Sequence, residues 1–199
     1  MKKTLRGVAG LAAGAILFVV SAQAWWIQPP RSAGEPRKLA PYVVSPISVV
    51  DKMLEAASLQ RGEVLYDLGC GDGRIVLAAA KNFGARAVGV EISESLVKLA
   101  REQAESQGLQ NQVKIIAGDM LNVDLSQANV VSLYLMTEAN DTLRPKLERE
   151  LKPGARVVSL EFKMRGWKPS HVEKVELHNH PYMIYVYEMP QRCARPRFP

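Results

Sequence analysis

Cysteine and histidine are scarce in this 199-residue sequence, and their scarcity argues against two classes of protein. The two cysteines, Cys70 and Cys193, are too few for the disulfide framework of a small secreted domain. The three histidines lie in one late stretch, where no cysteine or acidic cluster joins them at the spacing of metal ligands. The sequence therefore predicts neither a disulfide scaffold nor a metal site.

The middle of the chain lacks the positive charge that the total composition suggests. The formal net charge is +6, but residues 1–40 hold six basic side chains against one acid, and residues 191–199 add three arginines. Between residues 41 and 190, 17 basic residues stand against 19 acidic ones. A nucleic-acid partner would need a basic face on the folded domain, so none is expected.

The N-terminal 27 residues contain an apolar run that fits two roles. Basic residues precede the apolar residues 8–20, and small residues stand at Ala22 and Ala24, as at the cleavage site of a signal peptide. The residues Trp25, Trp26 and Ile27 extend the run to about twenty residues, enough for a tilted membrane span with tryptophans at the interface. The pattern alone fits a signal segment and a membrane anchor equally well.

The rest of the chain divides into a linker at 28–41, a folded domain at 42–190 and a basic tail at 191–199. The linker holds four prolines and one glycine. In the domain, short apolar runs alternate with helical patterns, which predicts an α/β fold: a Rossmann-like, doubly wound, mostly parallel sheet of seven strands with helices on both faces. The last two strands bracket His180 and Pro181 without a helix, which predicts an antiparallel C-terminal hairpin. Helices are predicted near 46–57, 74–83, 93–107 and 142–151, and strands at 63–67, 87–90, 113–116, 130–135, 156–160, 172–177 and 183–188.

Residues 66–74, YDLGCGDGR, form a glycine loop between the first strand and the next helix. The loop lies where open α/β sheets bind ligands, and its glycines let a ligand approach the backbone. The spacing does not match a dinucleotide fingerprint, because position 74 is arginine, and no P-loop lysine follows. The carboxylate of Asp67 would repel a pyrophosphate but suits a cation. A ligand with an ammonium and a sulfonium group fits this pattern.

Two further acids follow the next two strands. Glu91 closes the second strand, where an acid can accept hydrogen bonds from ribose hydroxyls, or alternatively cap the helix that follows. Asp119 follows the third strand and is placed to accept from an adenine amino group, the alternative being a plain loop acid. Cys70 is interpreted as a small packed loop residue that contributes its backbone amide, because no basic partner for a nucleophile is evident.

With these acids and the terminal hairpin, the sequence resembles the class I, seven-β-strand methyltransferases that depend on S-adenosylmethionine, over nearly all of residues 46–190. The resemblance implies S-adenosyl-L-methionine as the cofactor. The residues expected to bind it are Asp67, Gly69, Cys70, Gly71, Gly73, Glu91, Ile92, Asp119 and Met120.

Segments outside the glycine loop resemble a narrower group. The Asn-Pro-Pro-aromatic tetrad of many amide and base N-methyltransferases is missing after the fourth strand. The segments at 41–46, 134–147 and 151–159 are instead similar to the mitochondrial ATP-synthase c-subunit and adenine-nucleotide-translocase lysine methyltransferases and their prokaryotic relatives. The resemblance implies a lysine acceptor on a membrane-associated protein. The candidate catalytic and acceptor-site residues are Tyr42, Tyr134, Glu138, Asn140 and Glu161.

Two other functions stay open at this point: methylation of a small molecule or lipid, and a non-catalytic scaffold that binds the cofactor. The cofactor also bears on the N-terminal segment, because S-adenosylmethionine is made inside cells. We therefore expect residues 1–27 to remain as a membrane anchor, with the catalytic domain on the side that holds the cofactor. The alternative is export after cleavage of a signal peptide.

Overall fold

The structure, a computed structural model, describes residues 45–190. The predictions for the N-terminal segment at 1–27, the linker at 28–41, the tail at 191–199 and the candidate residue Tyr42 lie outside these residues. Within the described part of the chain, no helix is both long and apolar enough to cross a membrane.

Four α-helices and seven strands alternate in residues 45–190. A short 3-10 turn at Met120–Asn122 follows the third strand. The helices are α1 (Ile47–Ala56), α2 (Arg74–Phe83), α3 (Glu94–Ser106) and α4 (Thr137–Glu150). The strands are β1 (Val64–Leu68), β2 (Arg86–Glu91), β3 (Val113–Ala117), β4 (Val130–Leu133), β5 (Arg156–Leu160), β6 (His171–Leu177) and β7 (His180–Glu188).

The strands form one sheet in the order β3-β2-β1-β4-β5-β7-β6. The pairs among β1 to β5 are parallel, and β7 runs antiparallel between β5 and β6. The predicted fold class, including the antiparallel C-terminal hairpin, is confirmed. The chain reverses its direction of travel across the sheet between β1 and β4, and such a switch point opens a crevice at the carboxyl ends of the strands. β3 and β6 are the edge strands, and all seven residues of β6 are exposed or only partly buried.

Two apolar clusters cover the two faces of the sheet. The helices α1, α2 and α3 pack on one face through residues such as Met53, Val76 and Ala100. On the other face, α4 packs through Leu143 and Leu147. All five residues of β1 are buried, as expected for a central strand covered on both sides. The sheet is therefore a rigid platform, and its carboxyl edge carries the loops.

The start of α4 and the position of the hairpin turn differ most from the prediction, and β4 ends at Leu133 rather than at residue 135. The last helix, α4, begins at Thr137 rather than near residue 142, so Pro145 is its ninth residue instead of lying in a first turn, where proline is tolerated. The burial of Ala139 and Asn140, ahead of Leu143, shows that the packed face of α4 starts before the predicted boundary.

The turn of the hairpin was also misplaced. His178 and Asn179 form the two-residue turn, both with positive φ, as a type I′ turn requires. His180 and Pro181 belong to β7. Proline is accommodated there because β7 pairs with β5 only from Ile184 onward.

Candidate active site

The glycine loop links β1 to α2 at the carboxyl edge of the sheet. Gly69, Gly71 and Gly73 have φ of +85°, +56° and +85°, a region that residues with a Cβ rarely adopt. The amides of Gly69 and Cys70 both donate to the carbonyl of Val90, at 2.8 and 3.0 Å. These bonds fix the loop against the end of β2, and α2 begins directly after it.

The loop passes close to its neighbours. A Cβ at Gly73 would lie 3.0 Å from the Cβ of Ala100 in α3. A Cβ at Gly69 would lie 3.2 Å from Cδ2 of Leu135 and 3.7 Å from Cε of Met120. The glycines therefore serve close packing as well as the turn, and Met120 lies beside the loop.

Cys70 is a packing residue. Its side chain is buried, and burial, followed by the nearby charges of Asp67 and Glu91, raises the pKa of its thiol well above the usual value. A thiol held in this state is a poor nucleophile, which fits the interpretation of Cys70 as a packed loop residue. The backbone amide of Cys70 is not free for a ligand, because it donates to the Val90 carbonyl. Sequence reasoning missed the residue that makes room for it: a Cβ on Gly89 of β2 would lie 2.6 Å from the Cys70 sulfur.

Glu91 connects the end of β2 to the glycine loop. Its Oε2 accepts from the Gly71 amide at 3.0 Å, and its Oε1 accepts from the amides of Ile92 and Ser93 at 2.9 and 2.8 Å. A carboxylate has about four acceptor positions, so these bonds leave one on Oε2. The helix-capping alternative describes part of this arrangement, because Ser93 is the N-cap residue of α3. Ile92 contributes its backbone amide to the same set.

Asp67 is the most deeply buried acid of the site, 2% exposed against 8% for Asp72 and Glu91. Its Oδ1 accepts from the hydroxyl of Ser132 in β4 at 2.8 Å, whereas Oδ2 is buried with no hydrogen-bond partner among the described residues. Burial raises the pKa of Asp67 to about 7, and the charges of Glu91 and Asp72 contribute in the same direction. An unpartnered buried acceptor is costly, and it would be satisfied by a ligand that brings a cationic donor. The residues present therefore fit the ammonium end of S-adenosylmethionine.

Arg74 connects the glycine loop to the segment before α1. Arg74 donates from Nε to Oδ1 of Asp72 at 2.9 Å and from Nη2 to Oδ2 at 2.5 Å, and its Nη1 donates to the carbonyl of Ser45 at 2.6 Å. The segment before α1 is thereby attached to the glycine loop. Sequence analysis used Arg74 only to exclude a dinucleotide fingerprint, although an acid two residues before an arginine was a usable signal for an ion pair.

Asp119 lies where the third predicted acid was expected, directly after β3. Its Oδ1 caps the 3-10 turn by accepting from the Leu121 amide at 2.8 Å, and the side chain is only half-buried. The amide of Gly118, its neighbour, donates to the carbonyl of Glu91 at 2.9 Å. The structure thus brings the three predicted acids to adjacent strand ends.

The predicted acceptor-site residues do not form one group. Tyr134 follows β4 and is half-buried against the cluster on the α1 and α2 face. Its pKa is raised by burial and then by the charges of Glu161 and Tyr182. Glu161 follows β5, and its Oε1 accepts from the Met183 amide at 2.9 Å. Tyr182 of β7 was not among the sequence candidates, because nothing in its local pattern distinguished it from other strand aromatics.

Glu138 and Asn140 lie apart from Tyr134, in the first turns of α4. Glu138 is exposed and lies 4.0 Å from Arg165. Asn140 is fully buried, and its Nδ2 donates to the Ser159 hydroxyl and the Phe162 carbonyl at 3.4 and 3.3 Å. These contacts attach α4 to the loop after β5. Among residues 45–190 no group of three potential metal ligands occurs.

Comparisons with known proteins agree with this geometry. The family model described as ANTKMT methyltransferase domain matches residues 67–171. A protein-lysine N-methyltransferase of Saccharolobus islandicus is 48% identical over 148 residues, which are 74% of this chain and 92% of that protein. The adenine nucleotide translocase lysine N-methyltransferase of Mus musculus is 38% identical over 160 residues, covering 79% of this chain and 69% of that protein.

A solved structure is similar over the same region. It is an RNA methyltransferase from Salinibacter ruber in complex with S-adenosyl-L-homocysteine, with a TM-score of 0.70 and 44% sequence identity. The match covers 77% of this chain and 97% of that one.

Proposed function

Because this chain belongs to the family of the ANTKMT methyltransferase domain and its methyl donor is S-adenosylmethionine, we propose that it methylates lysine side chains of a protein. The observation that carries the proposal is the 48% identity to a protein-lysine N-methyltransferase that matches along 92% of its length. The resemblance of residues 41–46 and 134–147 to lysine methyltransferases supports the same acceptor.

In this proposal, the residues at each strand end bind a different part of S-adenosylmethionine. Asp67 would accept from the ammonium group through Oδ2, and Glu91 would offer its remaining position on Oε2 to a ribose hydroxyl. Asp119, beyond the next strand, would accept from the adenine amino group, with Ile92 and Met120 beside it. The glycines 69, 71 and 73, with Cys70, give the loop the shape that permits close approach. When bound, S-adenosylmethionine supplies an electrophilic methyl group on a sulfonium.

The residues of this chain contribute to catalysis by positioning the lysine amine of the acceptor. A lysine amine must be neutral to use its lone pair, and removal of water around it lowers its pKa. We propose that Tyr134 contacts the acceptor, with Tyr42 as a further contact from the segment before Ser45. Asn140 is a positioning residue for the loop after β5, and the exposed Glu138 would meet an incoming protein. Alignment of the reacting groups in a dry crevice supplies most of the rate.

The proposal also includes a membrane anchor at the N-terminus. Residues 1–27 would anchor the domain at 42–190 through the linker at 28–41, and a tether of this kind raises the local concentration of membrane-associated substrates. Sequencing the N-terminus of the protein in membrane and soluble fractions tests this part. A soluble mature protein that begins at Trp25 would mean that the segment is a signal peptide.

One observation favours a second acceptor class. The similar protein from Salinibacter ruber is named an RNA methyltransferase. Residues 41–190 include 17 basic and 19 acidic residues, and this balance does not favour binding to an RNA backbone. Lipids and small molecules are the remaining alternatives.

One experiment separates these acceptors. The purified full chain is incubated with methyl-labelled cofactor and with membrane proteins, soluble proteins, RNA or lipids from a strain that lacks the gene. We expect label on lysine in membrane proteins, located by mass spectrometry. Label confined to RNA, lipids or metabolites would contradict the lysine proposal.

A further inference from the structure

Three side chains from neighbouring strands gather beside the cofactor crevice: Tyr134 after β4, Glu161 after β5 and Tyr182 in β7. The strands β4, β5 and β7 are adjacent in the sheet. Both tyrosines are half-buried and pack against the same cluster, on the α1 and α2 face. The Met183 amide, next to Tyr182, donates to Oε1 of Glu161 at 2.9 Å. In agreement, burial and then the charges of Glu161 and Tyr182 raise the pKa of Tyr134.

This group lies next to the cofactor side of the site. Asp67 pairs in register with Ser132 and accepts its hydroxyl hydrogen bond. Val130 and Ser132 of β4 project toward the same face of the sheet, and Tyr134, just after the end of β4, packs against the apolar cluster that contains Val130. Tyr182 stands two residues before Ile184 in β7, which belongs to the same apolar cluster. Tyr134, Tyr182 and the buried carboxyl of Asp67 therefore share one face.

Glu161 has an unusual backbone. Its φ is +66°, a left-handed conformation that is unfavourable for a residue with a Cβ and is often retained at functional sites. Met183 holds it there, because the Glu161 amide donates to the Met183 carbonyl at 2.7 Å and the Met183 amide donates to Oε1 at 2.9 Å. Within residues 45–190, Oε2 accepts no hydrogen bond.

A structural role explains only in part why a glutamate stands at position 161. Glycine would satisfy the backbone better, and glutamine could accept the Met183 hydrogen bond equally well. Neither would supply a negative charge beside two tyrosine rings. A carboxylate and aromatic rings are the groups that attract an ammonium ion.

We propose that Tyr134, Glu161 and Tyr182 form the subsite that receives the ammonium group of the acceptor. This inference rests on the proposed function and identifies the residues that favour a cationic lysine side chain over a neutral acceptor. Glu161 binds the cation through Oε2, and the rings of Tyr134 and Tyr182 surround it. The subsite binds the amine in its charged form, and the amine must lose its proton before methyl transfer.

The test uses n-butylammonium chloride as the probe for a lysine side chain and 1-butanol as its neutral counterpart. Binding to the full chain, saturated with S-adenosylhomocysteine, is followed by nuclear magnetic resonance. We expect Glu161→Gln to weaken n-butylammonium binding about tenfold or more and to leave the cofactor Kd within about twofold of the parent. Binding of 1-butanol should not respond to this change.

The matched control is Glu176→Gln, the same chemical change on the exposed face of the same hairpin, where Glu176 pairs with Lys174. It should leave n-butylammonium binding unchanged. Tyr182→Leu, which removes a half-buried ring, should weaken n-butylammonium about threefold to tenfold and serves if Glu161→Gln proves unstable in thermal melting. Two results would overturn the subsite. One is an equal n-butylammonium affinity in the parent, Glu161→Gln and Tyr182→Leu, and the other is no binding to the parent.

Methyl transfer separates the two proposals. With the lysine-containing protein fraction as acceptor, Glu161→Gln should raise the acceptor KM about tenfold or more with a smaller change in kcat. An unchanged acceptor KM would overturn the subsite while lysine methylation stands. Label found only in RNA or lipid would overturn the proposed function, and the n-butylammonium measurement would still decide the subsite.

Discussion

The two halves of the site hold their polar groups in different ways. In the cofactor half, at the ends of β1 to β3, carboxylates bind backbone amides close to them in the chain: Glu91 binds Ile92 and Ser93, and Asp119 binds Leu121. In the acceptor half, Asn140 and Glu161 bind partners 19 to 22 residues away, across α4 and the hairpin. Local contacts supplement longer-range ones in the first half, where Glu91 also accepts from the Gly71 amide and Asp67 from the Ser132 hydroxyl. In the second half, the bonds of Asn140 and Glu161 all come from distant segments.

The difference indicates which changes each half tolerates. Because the cofactor half depends on tight backbone geometry, small steric changes should damage it severely. The acceptor half depends on the register of β7, so it should respond to charge and ring removal more than to loop sequence. Four variants test this contrast, from the largest expected effect to the smallest.

Gly89→Ala should disrupt the packing of the glycine loop in the cofactor half without altering any polar group. The new Cβ would lie 2.6 Å from the Cys70 sulfur and 2.9 Å from Cδ1 of Ile115, so the glycine loop must shift. We expect a loss of about 3 kcal/mol in the free energy of unfolding, measured by urea denaturation, and much weaker cofactor binding. Combining it with Cys70→Ala should recover part of both losses. Parent-like stability in the single variant would contradict this account of the loop.

Glu91→Gln should weaken cofactor binding about 10-fold to 100-fold. Glutamine has one acceptor oxygen, whereas the amides of Gly71, Ile92 and Ser93 need acceptors on both sides of the side chain. Calorimetry with S-adenosylmethionine measures the effect. Glu94→Gln, three residues further on and exposed, is the control and should bind as the parent does. Equal affinity in the two variants would remove Glu91 from the site.

Asp67→Asn should change how stability depends on pH. Burial raises the folded-state pKa of Asp67 to about 7, above its unfolded value near 3.9. The folded protein therefore keeps a proton that the unfolded chain has lost, and this contribution to stability falls as pH rises from about 4 to 7. The variant should gain about 2 kcal/mol relative to the parent between pH 5 and 7. Denaturation curves of the cofactor-free proteins check this, and a constant difference would refute it.

His178→Gly should have the smallest effect and should leave both halves of the site intact. His178 has a φ of +49° in the hairpin turn, where glycine avoids the cost of a Cβ. We expect a gain in stability of less than about 1 kcal/mol, seen as a slightly higher Tm, with unchanged cofactor Kd and acceptor KM. A raised acceptor KM would mean that the turn controls the register of β7 more than the pairing suggests.

The contrast between the halves also explains what the sequence could predict. Asp67, Glu91 and Asp119 were identifiable because strand ends and glycine spacing are local patterns, and the sheet then brings them together. Tyr182 was not identifiable, because its place beside Tyr134 depends on how β7 pairs with β5. The positive φ of Glu161 has no sequence signature at a non-glycine residue. The early start of α4 was missed because the buried residues that extend it, Ala139 and Asn140, are a small and a polar residue and give no clear apolar pattern.

The edge strand β6 has a consequence for the behaviour of the protein at high concentration. The outer edge of a sheet offers unpaired backbone groups that can recruit a strand from another molecule. β6 carries His171, Glu173, Lys174 and Glu176, and the Lys174 and Glu176 side chains pair at 2.5 Å on its surface. Such charges oppose the addition of another strand. The hairpin can therefore present its inner residues to the acceptor crevice while its outer strand resists aggregation.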